Sequence, residues 1–347
     1  MIDWYLSRFW VFLLAFALGV VLLPGFIAHM RRISFGQAIR EDGPESHLSK
    51  DGTPTMGGVI ILFSIVLSSL AVLLWIQPTG PTRIGMMPHA SVLLPLAALM
   101  GFGLIGFIDD YLKVSKGKSL GLTQWQKLFW QFVIAAGFLI LLYLTNPMID
   151  TSISAFGKTV ILGWIYWPLA ILFIVGMSNA VNITDGLDGL AAGLVAIAAV
   201  AMMSAAFTIL NAFTPLVLAA TVGACLAFLW FNASPAKIFM GDTGSLALGG
   251  FLAAVAIQTG QEIAFLIIGM LFAVEAFTVM AQIGYYKYSR SRYGEGRRIW
   301  RMAPLHHHYE LSGWPEQKVV VRFWILGLLF AVLGVLSRGD WMRWIRP

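Results

Sequence analysis

One cysteine in 347 residues, Cys225, excludes an internal disulfide, and nothing beside it completes a metal or nucleophile motif; it reads as a small packing residue. Charge is scarce too. Only 12% of residues are Asp, Glu, Lys or Arg, against 59% hydrophobic, and mean hydropathy is +0.80. A soluble domain of that composition would carry an apolar surface and aggregate, so an integral membrane protein is expected. The apolar/polar alternation of a barrel is missing as well. The greasy stretches are long, continuous and rich in Leu, Ile, Ala, Phe and Gly, which makes the expected fold all-α. No internal repeat stands out, which weighs against an inverted-repeat transporter. No break in composition marks a soluble domain, so residues 1–347 read as one transmembrane domain. The first 28 residues lack a small-residue cleavage site and read as a retained span.

Ten apolar segments run over residues 10–28, 56–76, 91–108, 128–144, 160–177, 190–210, 215–231, 244–258, 263–286 and 319–337. Most approach the ~20 residues that cross a hydrocarbon layer; the eighth is short and Gly-rich, and the tenth has Arg322 near its start. If the stretches after the odd-numbered spans share one side, that side holds 17 of the 23 lysines and arginines and is cytoplasmic by the positive-inside rule. Dropping the eighth span would throw the basic stretch 287–318 outside, so it is kept, and both termini are expected to be external. Trp341 and Trp344 suit an interfacial belt. The net charge of +6 is normal for the cytoplasmic ends of a polytopic protein; it does not by itself indicate an acidic substrate, and no nucleic-acid partner is expected.

Against this apolar background five aspartates sit where segments end: Asp109, Asp110, Asp185, Asp188 and Asp242. The topology puts all five at the cytoplasmic edge. Carboxylates beside a bilayer are costly, so such a cluster is a functional-site hypothesis, and its obvious use is to hold Mg²⁺ against phosphate. The stretches that carry these residues are GFIDDYLK (106–113), NAVNITDGLDG (179–189) and FNASPAKIFMGDTGS (231–245). Asp109 and Asp110 are adjacent, so on a helix they point in different directions and can serve two tasks, one toward a metal and one toward a reacting proton. Acids at a helix C-terminal end oppose its dipole and need a cation such as Lys113 or a metal. Asn182, Asp185 and Asp188 are three apart, a spacing that a helical turn would put along one face, with Gly186 and Gly189 letting ligand atoms approach the backbone. Asp242 lies at the start of a helix, where an N-cap is the bland alternative, as a C-cap is for Asn232.

Two further stretches join these. In KDGTPTMGG (50–58), Pro and paired glycines would leave backbone N–H groups free for a phosphate at a helix N-terminus, with Lys50 as a point charge; Thr55 as a simple N-cap is the alternative. In APLHHHYE (303–310), three consecutive histidines converge poorly on one ion, so imidazoles that donate hydrogen bonds to phosphate or position a reacting group are expected. Glu275, inside the ninth segment, reads as a neutral hydrogen-bonded group, and Gln282 as close enough to contact substrate.

Together, and in this order between ten spans, the five stretches resemble the polyprenyl-phosphate N-acetylhexosamine-1-phosphate transferases along nearly the whole chain. PLHHHYE resembles the branch that takes UDP-N-acetylmuramoyl-pentapeptide, since relatives that use UDP-N-acetylglucosamine carry a different histidine-containing loop. The resemblance implies a bacterial inner-membrane enzyme with a cytoplasmic site built from loops 29–55, 109–127, 178–189, 232–245 and 287–318. In it, undecaprenyl phosphate attacks the β-phosphate of the nucleotide, giving lipid I and UMP with Mg²⁺ as cofactor. It also implies residue roles. Asp242 and Asp110 would hold Mg²⁺; Asp109 would deprotonate or orient the lipid phosphate; Lys50, Thr55, Lys113 and Lys127 would hold phosphates. Asn182, Asp185, Asp188, Asn232 and Phe239 would shape the nucleotide and sugar pocket, with Gln282 and Ala303 also at the substrate, and His306, counted as catalytic, would join His307 and His308 at the sugar-peptide or diphosphate. A homodimer is an expectation the family carries. One in-line displacement and a two-step route through an aspartate both remain open. A cation-coupled transporter is the rival class, though it would place acids at the midplane.

Overall fold

The computed structural model describes residues 2–33, 52–76, 88–115, 121–146, 149–206 and 213–338. Lys50, Trp341 and Trp344 lie outside the described residues. The long helices are α1 (Ile2–Arg32), α2 (Gly58–Ile76), α3 (Pro88–Ser115), α4 (Gln124–Thr145), α5 (Tyr166–Thr184), α6 (Leu190–Ala206), α7 (Thr214–Asn232), α8 (Gly241–Gln258), α10 (Met270–Tyr293) and α12 (Glu316–Ser337). Two short ones, α9 (Glu262–Ile268) and α11 (Leu305–Glu310), complete the set. Among the described residues, seven helices are long and apolar enough to cross a membrane, eight if α9 and α10 count as one bent span. This is an all-α polytopic membrane protein.

The centre of the bundle is α8, in which every residue from Thr243 to Gln258 is buried. It packs against α3, α5 and α2. Its sequence is mostly Gly, Ala, Ser and Leu, and small residues are what helices in lipid use to approach, because burial of apolar surface drives little association there. Gly58 of α2 meets the backbone of Gly244, and Gly106 of α3 meets the carbonyl of Asp242, each with no room for a Cβ. The second contact brings the acidic end of α3 to the start of α8, and the first brings the start of α2 there. Outside this centre, α1 packs on α7, and α12 on α6 and α9, while Val21, Leu74, Leu144 and Val332 are exposed, as side chains facing hydrocarbon are.

Three details depart from the sequence expectation. The segment 263–286 is not one straight helix: α9 and α10 meet at Gly269 with a 74° bend, at a residue with poor helix propensity, and α10 continues to Tyr293 before Gly294 ends it at φ 79°. The expected start of the fifth span at residue 160 is instead an antiparallel hairpin, β1 (Ser152–Ala155) with β2 (Lys158–Ile161). Its turn is Phe156–Gly157, both at positive φ, the geometry that matches strand twist. Finally, α4 begins at Gln124, earlier than 128, because Thr123 and Gln126 form a capping box.

Candidate active site

The C-terminal end of α3 presents Asp109 and Asp110 in two directions, as adjacency on a helix requires. Asp110 turns to α8. Its Oδ1 accepts the Asp242 N–H at 3.1 Å, and its Oδ2 accepts the Thr243 N–H at 2.9 Å and the Thr243 hydroxyl at 2.6 Å. No side chain of α8's own N-cap residue, Met240, does this work, so Asp110 caps α8 from a neighbouring helix. A side-chain cap is worth ~1 kcal/mol, and a charged one at a positive dipole end gains further.

Asp109 turns to α4. Fully buried, it lies 2.6 Å from Lys113 Nζ and 2.8 Å from Lys127 Nζ, and its Oδ1 accepts the Leu122 N–H at 2.7 Å. Lys127 also reaches Asp242 at 2.6 Å, and Lys113 reaches it at 3.4 Å. The acids that oppose the α3 dipole are therefore compensated by two ammonium groups and by the positive start of α8. Asp242 receives a fourth neighbour: Asn182 at the end of α5 donates to its Oδ1 at 3.0 Å and to Ser245 Oγ at 2.8 Å. Of the three carboxylates it is the accessible one, its side chain 17% exposed against 0% for Asp109.

Asp109, Asp110 and Asp242 each offer an oxygen within 4.8 Å of the others. Hard oxygen donors in that number suit Mg²⁺, which takes one or two carboxylates and fills its remaining positions with water or phosphate oxygens. The donor set fits the ion, and Asp242 is its most available member.

Asn182, Asp185 and Asp188 do not line one helical face, because α5 stops at Thr184 and Gly186 and Gly189 follow. Asp188 turns inward, its Oδ2 accepting the Ala236 N–H at 3.0 Å while its own N–H donates to Glu316 at 2.8 Å. Asn232 is likewise spent on protein, accepting from Gly189 N at 2.9 Å and donating to the Ile238 carbonyl at 2.8 Å. Both tie the 185–190 turn to the 233–239 loop. Asp185 differs. Half-buried, its carboxyl is pushed up to about 8, first by desolvation and then by the charges of Asp242, Asp110 and Asp188.

Several expectations are corrected. The glycines of TPTMGG keep no free N–H groups for phosphate: Gly57 donates to the Phe239 carbonyl and Gly58 to the Met240 carbonyl, both at 2.9 Å, and Phe239 N donates to Pro54 O at 2.8 Å. Two extended segments pair there, which buries Thr55 beside Gly241 and leaves it short of the N-cap of α2, which starts at Gly58; Phe239 remains half-buried. The Gln282 amide is bonded to the loop before Ala303. It donates to Trp300 O at 3.0 Å and accepts from Ile299 N at 3.0 Å and Trp300 N at 3.1 Å, pinning the loop before Ala303, whose peptide bond to Pro304 is cis. His306 is 0% exposed. His307 and His308 are partly exposed, the first bonded to Glu310 at 2.8 Å and the second accepting the Arg301 N–H at 3.2 Å. Thr243, Ser245 and Glu316 were not singled out in the sequence. Thr243 and Ser245 stand in GDTGS beside Asp242, and that proximity was their signal; Glu316, 128 residues from its partner, had none.

Residues 92–260 match the glycosyl transferase family 4, and residues 50–62 match signature 1 of phospho-N-acetylmuramoyl-pentapeptide-transferase. Among curated proteins of that last name, the one from Halalkalibacterium halodurans is 49% identical to this chain over 93% of it and 95% of its own length. That of Shouchella clausii is 47% identical, covering 98% of this chain and 99% of its own. That of Oceanobacillus iheyensis is 48% identical, covering 92% and 94%.

Proposed function

This chain belongs to the phospho-N-acetylmuramoyl-pentapeptide-transferases of glycosyl transferase family 4, and from that premise we propose how its own residues carry the reaction. It transfers phospho-N-acetylmuramoyl-pentapeptide from the UDP-sugar to undecaprenyl phosphate, releasing UMP and leaving lipid I. In the net reaction a bond from a lipid phosphate oxygen to the β-phosphorus of the nucleotide replaces the bond from that phosphorus to the UMP oxygen, and UMP leaves with the electron pair, in one displacement or by way of an aspartate. Such a step asks the protein for alignment and charge neutralisation more than for covalent chemistry.

The observation that carries this reading is the meeting of three carboxylates from α3 and α8 with Lys113 and Lys127 at the ends of apolar helices. Asp242, with Asp110 beside it, would hold Mg²⁺, which would supply positive charge to neutralise the diphosphate. Asp110 positions Asp242 by capping α8. Asp109 orients Lys113 and Lys127, and those two ammonium groups receive and align the lipid phosphate. Asn182 fixes the Asp242 carboxylate, and Asp185 faces the nucleotide and sugar. His307 and His308 meet the sugar-peptide side.

Ten spans, both termini external, a cytoplasmic site in the inner membrane and a homodimeric assembly complete the proposal. The short α6 and the buried α8 act as spans beside the eight that α9 and α10 make up when joined, and the charge asymmetry of 17 basic residues among 23 supports the orientation. Incubating the purified protein with UDP-N-acetylmuramoyl-pentapeptide, undecaprenyl phosphate and Mg²⁺ is expected to release UMP and form a lipid-linked product. UDP-N-acetylglucosamine in place of the pentapeptide nucleotide is expected to give neither; turnover of that nucleotide alone would reassign the chain to the sister branch.

A further inference from the structure

Glu275 takes no part in the reaction outlined above, yet its carboxylate is completely buried. Buried carboxylates persist where something holds them. Here Oε2 accepts the N–H of Leu305, the first residue of α11, at 2.7 Å, and lies 3.2 Å from Nδ1 of His306. His306 is itself fully buried, and the other edge of its ring rests on Gly186: a Cβ at 186 would overlap His306 Nε2. Neither ring nitrogen has an aligned hydrogen bond among the described residues. The neighbouring His307 ring packs on it with centroids 4.2 Å apart. An imidazole enclosed in this way, with glycine backbone on one edge and a carboxylate on the other, fills space between two elements and does not reach a phosphate.

We propose that Glu275 and His306 are positioning residues for recognition of the UDP-sugar. Glu275 clamps the start of α11, and His306 is the spacer that sets the distance between α11, which carries His307 and His308, and the turn that carries Asp185. Gly186 is glycine because the spacer occupies the volume where its side chain would be. The inference rests on the transferase reading, which supplies the nucleotide-sugar as the ligand, and it assigns the first histidine of the run a role different from that of the other two.

The test is a double-mutant cycle in the purified full-length protein, with KM for UDP-N-acetylmuramoyl-pentapeptide, kcat and melting temperature read for each variant. Gly186→Ala is expected to raise KM about tenfold while kcat changes less than about threefold. Combining it with His306→Ala removes the overlap, so the double variant should be no worse in KM or melting temperature than His306→Ala alone. Glu275→Gln keeps an acceptor for the Leu305 N–H and should retain most of the activity that Glu275→Ala loses, which covers the case in which Gly186→Ala fails to fold. The proposal is overturned if His306→Ala lowers kcat by about a thousandfold or more at unchanged KM and removes a limb of the kcat–pH profile, the behaviour of a reacting group. It is overturned equally if the 186 and 306 effects simply add. Should the wild type turn over no UDP-sugar at all, the transferase reading falls by itself, and the melting temperatures still decide the spacer: relief of Gly186→Ala by His306→Ala supports it, and additive losses overturn it.

Discussion

Lys127 is shared between two carboxylates, 2.8 Å from Asp109 and 2.6 Å from Asp242, so it competes with any metal ion for the same Asp242 oxygen. Lys127→Met is therefore expected to tighten Mg²⁺ binding in the absence of substrates, by about tenfold if the lost repulsion is ~1.4 kcal/mol, while slowing transfer because the lipid phosphate loses a partner. Competition of Mg²⁺ against Mn²⁺ followed by electron paramagnetic resonance reads the affinity directly; weaker binding in the variant would contradict the shared-oxygen account. Asp185 gives a second prediction at this scale. Its carboxyl keeps a proton in the folded protein up to about pH 8 that the unfolded chain releases in the usual carboxylate range, so the native state binds more protons in between. Stability from this group is present at acid pH and is lost as pH rises toward 8. In EDTA, Asp185→Asn should flatten the fall of melting temperature between about pH 4 and 8. An unchanged slope would show that Asp185 is charged throughout.

At the scale of elements, the junction of α3 and α8 depends on Gly106, whose missing side chain lets the Asp242 carbonyl approach. Gly106→Ala forces the two helices apart and is expected to cost roughly 1–3 kcal/mol of stability. It also draws Asp110 away from the N–H groups of Asp242 and Thr243. Activity should fall further than the melting temperature suggests; a variant with a lowered melting temperature and full activity would mean that the cap does not position Asp242. How much of this was legible in the sequence varied with the range of the contact. The apolar segments and the placement of aspartates at their ends could be read because hydropathy and charge are properties of single residues in local windows. The division of labour between Asp109 and Asp110 was half legible: adjacency on a helix demands two directions, but that one of them leads to the start of α8 is a contact across 132 residues. The bend at Gly269 was hidden because a continuous apolar run reads alike whether or not a glycine breaks it. The free N–H groups expected in TPTMGG were wrong for the same reason, since their acceptors, the Phe239 and Met240 carbonyls, lie far along the chain. The hairpin at 152–161 left a signal that hydropathy obscured: Phe156–Gly157 between SISA and KTVI is a two-residue turn between β-prone runs.

For the whole molecule, the proposed topology puts the hairpin and the site loops at opposite faces of the membrane. Cys225 is buried in α7, so the chain offers a low background for thiol labelling. Replacing Gly157 at the hairpin tip or Gly313 after α11 by cysteine should give opposite results in sealed vesicles. Right-side-out vesicles should label at 157 and inside-out vesicles at 313 with a membrane-impermeant maleimide; the reverse pattern would invert the topology. Topology and chemistry meet in the proposal that one acid cluster at the cytoplasmic edge brings a soluble nucleotide to a membrane lipid, with Asp242 holding the charge. The most direct measurement is UMP release together with lipid-linked product by the wild type and by Asp242→Asn at saturating Mg²⁺. The wild type should form the two products in equal amounts, and Asp242→Asn, folded and with an unchanged melting profile, should fall by about 100-fold or more. Near-normal transfer by Asp242→Asn would contradict the account.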